Sequence, residues 1–385
     1  MKQLIIIGAN NFQLPLIKKA KEMGLETHVF AWEDGAVAKN IADYFYPISI
    51  TEKEEIFSLA RKIKPQGIIS IASDQAMHTV NYIAGKMGLV GNSMQSTLHT
   101  TNKYLMRKKL SENGLPCPDF SKVDKTKKVT DKSIHYPVIV KPTDRSGSRG
   151  VSRVENENEL KVAINRALEE SFNKEVIVEE FISGREFSIE MISWHGEHHF
   201  LQITEKETSG PPYFVEKAQH QPAQLPDQIR LLVIEQVKKS LTVLGVENGA
   251  SHSEVIINAN DEIFITEIGA RMGGDYIGSD LVQLSTGFDF LKETINISLG
   301  SFGGIQLKEN NFAGVYYSLP KPGNVKEIID NSGKFPEIVR SEVYVKPNDQ
   351  IYEIKESNQR PACFIYQSKN NKFTPDSEII KIITS

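Results

Sequence analysis

Short hydrophobic runs alternate with helical patterns along residues 1–95. The runs predict strands at Leu4–Ile7, Thr27–Trp32 and Gly67–Ala72. Between and after them, apolar residues recur every three or four positions, as on one face of an amphipathic helix. These apolar positions are Leu16, Ala20 and Met23, then Ile56, Leu59, Ala60 and Ile63, then Met77, Val80, Ala84 and Met87. Strands that alternate with helices predict a doubly wound α/β unit with a parallel sheet.

Two end signals refine these helices. Gly24 follows the first pattern and is the expected C-terminal cap. Thr51 and Glu54, three positions apart in "TEKE", form a capping-box pattern that predicts a helix start with Thr51 as the N-cap.

The pattern changes after Thr101, where a helix is followed by β-rich segments. Residues 185–206 are typical of a hairpin that turns at "HGEH", and residues 207–226 are rich in glycine and proline and predict a loop. A further helix follows, capped by Gly245, and short β patterns fill the tail. We therefore expect three domains, at residues 1–95, 96–300 and 301–385.

The turn after the first strand argues against a dinucleotide-binding protein. It reads "GANNFQ" and holds one glycine, where the dinucleotide fingerprint needs three so that the backbone can approach a pyrophosphate. The hypothesis of a nicotinamide-dependent dehydrogenase is therefore weak, although binding of NAD(H) would revive it.

Composition excludes several classes of partner. The net charge of −4 leaves no basic footprint for nucleic acid, and 39% hydrophobic with 24% charged residues is ordinary for a globular protein. Cys117 and Cys363 lie far apart, so neither a disulfide framework nor a cysteine-zinc site is expected. No apolar run approaches the ~20 residues that span a bilayer. We expect a cytoplasmic protein with no membrane or nucleic-acid partner.

The segment "VKPTDRSGSRGV", residues 140–151, is built to hold an anion. A strand ends in lysine and proline, and glycine, serine and arginine then crowd together before the next apolar run. Small residues allow backbone N–H groups to approach anionic oxygens closely. The segment lacks the spacing of the P-loop, so another type of phosphate-binding loop is implied.

Two β-rich runs flank "NAND" and predict a hairpin centred between Asn260 and Asp261. In this register Glu254 lies opposite Glu267, with Ile256, Ile263 and Ile265 on the same face. Like charges placed this way are destabilising unless a cation lies between them, and oxygen ligands suit Mg²⁺ shared with nucleotide phosphates. An exposed hairpin with two solvated glutamates explains the pattern equally well.

Arg271 lies four positions after Glu267 and could hold a phosphate with the fork of donors on its guanidinium group.

The order of these features resembles the ATP-grasp superfamily of carboxylate–amine ligases over nearly the whole chain. The resemblance implies an α/β and α+β fold, with a Rossmann-like pre-ATP-grasp domain before the ATP-grasp domain and a small β-rich C-terminal domain. It implies ATP with Mg²⁺, or Mn²⁺ in its place, as cofactors. The residues that it implies for ATP are Lys103, Lys141, Ser146, Gly147, Ser148, Gly150, Glu179, Ile182 and Glu186. It makes Glu254 and Glu267 the metal ligands, and Lys141 and Arg271 the catalytic residues.

One position departs from the family pattern. Many members carry a metal-binding asparagine two residues after the second glutamate, where this chain has Gly269. A third ligand must then come from elsewhere or be water. The branch that resembles L-amino-acid ligases also lacks this asparagine, and "ARMGGD" is similar to that branch.

The resemblance implies a ligase that converts a carboxylate, an amino acid or similar small acid, to an acyl phosphate that an amine attacks, releasing ADP and phosphate. The alternatives are a bicarbonate-activating enzyme like those of purine biosynthesis, and a nucleotide-binding protein without catalysis. A homodimer is common among similar proteins.

Substrate residues are harder to find. The segment "ETSGPPYFVEKAQHQPA", residues 207–223, corresponds to a substrate-proximal loop, in which Glu216 and His220 could together bind an amino group or act as a base. A surface loop with incidental polar residues explains them equally well. Asp74 ends the third strand, at the edge where such sheets bind ligands, and borders the expected cleft.

Overall fold

A computed structural model describes residues 1–124, 135–211, 213–375 and 377–385. Its first unit is a parallel sheet in the order β3-β2-β1-β4, covered by helices on both faces. The strands are β1 (Gln3–Ile7), β2 (Glu26–Phe30), β3 (Tyr44–Tyr46) and β4 (Gly67–Ile69), and the helices are α1 (Leu14–Glu22), α2 (Lys53–Ile63) and α3 (Asp74–Met87). The three predicted strands and the three predicted helices are confirmed, and β3 is an additional edge strand.

The predicted capping box of α2 is wrong. Glu52 is the N-cap and its side chain makes no capping hydrogen bond. The Thr51 hydroxyl lies 2.9 Å from that of Ser49, and the Glu54 carboxylate accepts from the Tyr82 hydroxyl at 2.7 Å. Both side chains are therefore engaged elsewhere, and a contact with α3 takes precedence over the local capping pattern.

Helices α4 (Met94–Thr101) and α5 (Lys103–Glu112) lead into a small antiparallel sheet. Its strands are β5 (Phe120–Asp124), β6 (Val138–Pro142), β7 (Ser152–Val154) and β8 (Glu175–Glu180), with helix α6 (Glu157–Glu170) packed on one face. The strand order is β5-β8-β6-β7. The anion-binding segment predicted from the sequence is the connection between β6 and β7.

The rest of the chain is built around an eight-stranded antiparallel sheet and a three-stranded sheet. The remaining strands are β9 (Arg185–Trp194), β10 (Glu197–Thr208), β11 (Glu216–Gln221), β12 (Gly249–Ile257), β13 (Ile263–Gly269), β14 (Phe312–Tyr317), β15 (Gly323–Asp330), β16 (Ile338–Val343), β17 (Gln350–Ile351), β18 (Ala362–Ser368) and β19 (Ile380–Thr384). The helices are α7 (Asp227–Leu244), α8 (Val282–Thr286), which follows a π-helical turn at Ile277–Leu281, and α9 (Phe290–Ser298). Short 3₁₀ turns lie at Ser332–Lys334 and Ser357–Gln359.

The strand order of the large sheet is β13-β12-β9-β10-β11-β14-β18-β16. The β12–β13 hairpin, which carries Glu254 and Glu267 and is called the glutamate hairpin below, lies at one edge, and the C-terminal strands β14, β18 and β16 extend the sheet at the other. The small sheet runs β17-β15-β19. The predicted β9–β10 hairpin is confirmed, with a two-residue turn at His195 and Gly196. Both turn residues have positive φ, as the tight hairpin turns that match strand twist require.

Successive side chains of β9 alternate between the two faces of the large sheet. Phe187, Ile189 and Met191 are fully buried and pack with α5 and α7. The intervening residues, Glu186 and Glu190 among them, point to the opposite face because successive strand residues alternate. One face of the sheet is therefore hydrophobic core, and the other carries charged side chains.

No helix in the described part of the chain is both long and apolar enough to cross a membrane.

Gly67 of β4 controls how closely the first sheet approaches α9. A Cβ at this position would lie 2.6 Å from the Ser298 carbonyl oxygen, whereas a Cβ on the exposed Gly85 of α3 would meet nothing within 4 Å. We expect Gly67→Ala to destabilise the protein by about 1–3 kcal/mol. Gly85→Ala should instead stabilise it by about 1 kcal/mol, because alanine favours helix interiors. Urea denaturation measures both, and equal stabilities of the two variants would contradict the expectation.

Candidate active site

The predicted glutamate pair is present on the β12–β13 hairpin. Glu254 lies directly opposite Glu267, and both line a cavity of about 360 Å³. The turn between β12 and β13, however, spans five residues, 258–262. A turn of this length by itself shifts the pairing of the two strands by one position from the predicted pairing. Thr266 is an extra residue on β13, since Glu254 pairs with Glu267 but Val255 pairs with Ile265. This β-bulge restores the predicted pair.

The same bulge makes the predicted companions of the pair partly wrong. Ile256 lines the cavity with the glutamates. Ile263 and Ile265 lie instead on the opposite face of the hairpin, where they are buried with the α5 and α7 side chains. A one-residue change in strand pairing moves the paired side chains to the other face of the strand. The position of the bulge decides where along β13 that change occurs.

Cationic side chains neutralise the two glutamates. Lys206 Nζ of β10 lies 2.6 Å from Glu254 Oε1, and Lys103 Nζ, from the first residue of α5, lies 3.0 Å from Glu267 Oε1. His252 Nε2 lies 3.4 Å from Glu254 Oε1. Burial favours the neutral acid, but Lys206 and His252 hold the pKa of Glu254 well below its ordinary value. Glu254 is therefore a carboxylate within the cavity.

The pair fits a hard divalent cation that is shared with another ligand. Both groups are oxygen donors with partly exposed side chains, at 29% and 21%. Within residues 1–124, 135–211, 213–375 and 377–385, no group of three His, Cys, Asp or Glu side chains is placed to hold a metal. A cation here would therefore take the remaining ligands from phosphate and water, as Mg²⁺ does in nucleotide sites.

Gly269 is tightly enclosed. A Cβ at this position would lie 3.0 Å from both Arg271 Cζ and Asp74 Oδ1. Arg271 Nε and Nη2 donate to the two Asp74 oxygens at 2.8 and 3.1 Å, which is a bidentate pair. This ion pair occupies the space into which a side chain at 269 would extend.

The Asp74–Arg271 pair joins the first unit to the edge of the cavity. Asp74 is the first residue of α3, and the Ser73 side chain caps that helix. Burial disfavours both charges, but each charge stabilises the other, so the pKa of Asp74 is lowered and that of Arg271 is raised. Arg271 lines the cavity, whereas Asp74 lies behind it and holds the guanidinium in place.

Glu179 of β8 bridges two buried cations. Its Oε1 lies 2.7 Å from Arg107 Nε, and its Oε2 lies 2.6 Å from Lys141 Nζ. Burial opposes ionisation, but Arg107 and Lys141 keep the pKa of Glu179 below its ordinary value. Burial lowers the pKa of Lys141, and Glu179 opposes that shift. This triad places the Lys141 ammonium at the inner wall of the cavity.

The connection between β6 and β7 forms one wall of the cavity. Gly147, Ser148 and Gly150 all have positive φ, so three of the four successive residues 147–150 adopt the left-handed conformation. Lys103 Nζ donates to the Arg145 carbonyl at 2.7 Å and ties the start of this loop to α5. Ser146, Gly147 and Ser148 line the cavity, but Gly150 lies outside it, with its Cα hydrogen facing Pro142 and Glu170.

Ile182 and Glu186 lie on the wall beyond β8 and also line the cavity. Ile182 is 9% exposed. Burial raises the pKa of Glu186, Glu254 and Glu216 raise it further, and Lys206 opposes them. All predicted nucleotide and metal residues except Gly150 therefore meet around one cavity.

A family model for the ATP-grasp domain matches residues 134–280, the segment that supplies most of these residues. This segment is an ATP-grasp domain. The L-arginine-specific L-amino acid ligase of Bacillus subtilis is 23% identical over 350 residues, which cover 86% of this chain and 83% of that protein. An uncharacterized protein of Sinorhizobium fredii is 25% identical over 306 residues, 77% of this chain and 63% of the relative. The chain thus spans less than two thirds of the second relative.

The solved structure of an L-amino acid ligase from Bacillus licheniformis superimposes with a TM-score of 0.84, at 24% identity, over 96% of this chain and 94% of that one. The similarity confirms the predicted fold class, an α/β and α+β ATP-grasp fold with a Rossmann-like first unit. ATP-grasp enzymes use ATP, in agreement with the predicted cofactor.

The predicted association of Glu216 with His220 is wrong. Residues 216–221 form β11 rather than a loop, and a bulge at its start puts Thr208 opposite Glu216 but Glu207 opposite Ala218. Glu216 lines the cavity, with its Oε1 3.8 Å from Lys206 Nζ. His220 points away from the cavity and contacts the Tyr366 hydroxyl at 3.0 Å and Glu207 Oε1 at 3.2 Å.

Sequence reasoning missed four basic residues at or near the cavity. Lys206 carries a signal that could have found it, because strand alternation puts it on the glutamate face of the sheet. Arg107 and Arg360 carry no local signal. Arg360 donates to Asp275 Oδ2 at 3.0 Å, and its Nη1 lies 3.9 Å from Glu216 Oε2. Arg149 of the β6–β7 loop also lines the cavity.

The buried His220 should make stability depend on pH. Burial and Lys372 lower its pKa from 6.5 to about 4, against the opposing effect of Glu207. As pH falls from 6.5 to 4, the unfolded chain takes up a proton that the folded protein does not, so stability decreases. We expect His220→Gln to lose less free energy of unfolding than wild type between pH 7 and pH 5, as measured by urea denaturation. Equal losses would contradict this expectation.

Proposed function

We propose that this protein activates a small carboxylate, an amino acid or similar acid, as an acyl phosphate and transfers the acyl group to an amine, releasing ADP and phosphate. Its class is that of an ATP-dependent ligase that forms a C–N bond. The single observation that carries the proposal is the meeting of the glutamate pair, two lysines, the glycine-rich loop and Arg271 around one cavity.

The β6 side of the cavity is the proposed nucleotide site. Lys103 and Lys141 supply positive charge for phosphate oxygens, and the loop from Ser146 to Gly150 closes over them with backbone N–H donors. Glu179 and the Ile182 backbone are the proposed contacts for the adenine edge. Glu186 is the proposed contact for the ribose hydroxyls, because it lines the cavity and its carboxyl oxygens accept hydrogen bonds from hydroxyl groups.

Glu254 and Glu267 are the proposed ligands of Mg²⁺, with Mn²⁺ as an alternative ion. When bound, Mg²⁺ supplies charge neutralisation for the transferred phosphoryl group. Lys206 lies beside the Glu254 carboxylate and Lys103 beside that of Glu267, so each glutamate has a cationic neighbour before the metal ion arrives. Water and phosphate would complete the ligand set, since Gly269 supplies no side chain.

Arg271 and Lys141 are the proposed catalytic residues. Asp74 orients the Arg271 guanidinium group by accepting hydrogen bonds from its Nε and Nη2 atoms. A donor that is oriented in advance needs little rearrangement when charge develops on the acyl phosphate. Glu216 is the proposed contact for the amine substrate, because its carboxylate lines the cavity next to Lys206. Closure of the loop would exclude water, which otherwise hydrolyses the acyl phosphate.

We also propose that the protein is cytoplasmic, where ATP is abundant, and that it forms a homodimer. Light scattering would test the assembly against the 43.2 kDa mass of one chain.

The reaction is tested by release of ADP and phosphate from ATP with Mg²⁺, across pools of amino acids with an amine partner, first without and then with bicarbonate. We expect release to depend on an acid pool together with an amine. Release that depends on bicarbonate alone would replace the ligase by the bicarbonate-activating alternative.

The metal ligand is tested by Glu267→Gln, which keeps the size of the side chain and removes its charge. We expect turnover to fall by about 10²-fold or more, the size of effect seen when a charge-stabilising group is lost. Glu262→Gln, on the exposed turn of the same hairpin, is the matched control and should retain wild-type turnover. Unchanged turnover in Glu267→Gln, with unchanged thermal stability, would contradict the proposal.

A further inference from the structure

Glu190 and His252 form a buried pair that the proposed reaction does not use. They are cross-strand neighbours on β9 and β12, and His252 Nδ1 lies 2.5 Å from Glu190 Oε1. Glu190 is fully buried and His252 is 6% exposed. A buried carboxylate needs a partner, so Glu190 fixes which ring nitrogen faces inward.

The other ring nitrogen of His252 is thereby directed at Glu254 on the β12–β13 hairpin. His252 Nε2 faces Glu254 Oε1 at 3.4 Å, and His252 lines the cavity. The imidazole connects a carboxylate in the protein interior with the carboxylate proposed as a metal ligand. Contacts of this kind behind a ligand orient it, and their loss weakens metal binding.

Two glycines leave room for this arrangement. Gly269 is the cross-strand partner of His252, and the space beyond its Cα is filled by the Arg271–Asp74 pair. A Cβ on Gly273 would lie 2.7 Å from His252 Nδ1 and 3.2 Å from Glu190 Oε2. The ring therefore lies directly against the backbone of residue 273, and any side chain there would displace it.

Lys206 contacts the same Glu254 oxygen but is a poorer candidate for holding it when a cation is bound. An ammonium group on a flexible stem is repelled by an arriving dication. The His252 ring is instead enclosed between the buried Glu190 and the backbone of Gly273, so its position does not depend on a flexible stem. It can keep its place while the cation binds.

We propose that Glu190 and His252 are positioning residues that hold the Glu254 carboxylate for a divalent cation, in a site where position 269 supplies no ligand. The inference rests on the proposed function, since it requires a cation at Glu254 and Glu267. It assigns to Gly273 the role of leaving space for the imidazole.

The test compares two adjacent glycines. Gly273→Ala displaces the His252 ring, whereas the Cβ of Gly274→Ala meets only Ala72 Cβ, at 3.7 Å. Calorimetric titration of the full-length protein with Mg²⁺, and separately with Mn²⁺, in the presence of ADP gives the cation affinity. We expect Gly273→Ala to weaken both affinities by about 10–100-fold and Gly274→Ala to leave them unchanged. ADP affinity measured without a cation should be the same in all three proteins.

His252→Gln provides a second, independent variant and should also weaken cation binding, while thermal unfolding reports whether each variant is folded. Wild-type cation affinity in both Gly273→Ala and His252→Gln, with loss of affinity in Glu254→Gln, would overturn the positioning role and leave the proposed metal site intact. Wild-type affinity in Glu254→Gln as well would overturn the metal site and this inference with it. The two failures are therefore distinguishable.

Discussion

Two like charges held face to face on one hairpin are the constraint on which the rest of the site depends. Directly paired residues on antiparallel strands have Cβ atoms ~4.5–5.5 Å apart, so Glu254 and Glu267 repel one another unless cations lie close to them. Lys206 comes from β10 and Lys103 from the start of α5. Because these lysines lie on different elements, charge balance at the pair depends on the hydrophobic packing of α5 against the large sheet.

Buried ion pairs then connect distant parts of the chain to the same place. Asp74 brings the first unit to Arg271, and Arg360 brings the C-terminal strands to Asp275, four positions after Arg271. Removing one partner of such a pair leaves a buried charge and typically costs about 3–5 kcal/mol. The backbone that follows Arg271 is unusual, since Asp275 has a positive φ and a π-helical turn lies just beyond it at Ile277–Leu281. Such departures concentrate at functional sites.

The glutamate hairpin shows how far a pattern can be followed. Period-2 alternation and the turn residues were enough to place Glu254 opposite Glu267. They could not show that the five-residue turn shifts the strand pairing by one position, or that the bulge at Thr266 shifts it back before Glu267 is reached. Ile263 and Ile265, which lie between the two shifts, are therefore on the other face. The Glu216–His220 hypothesis failed for the same reason, because a bulge between β10 and β11 changes which residues face the cavity.

Local sequence patterns by themselves determined the parallel first unit and the position of the glycine-rich loop, because each depends on residues that are near neighbours in the chain. The opposed glutamates were predicted correctly only because the two register shifts cancel. Tertiary structure alone decided which cations meet those glutamates and what lies around Gly269. Lys103 and Glu267 are 164 positions apart, and Arg271 and Asp74 are 197 apart. No local pattern encodes such contacts, because they arise only when packed strands and helices bring buried charges within reach of one another.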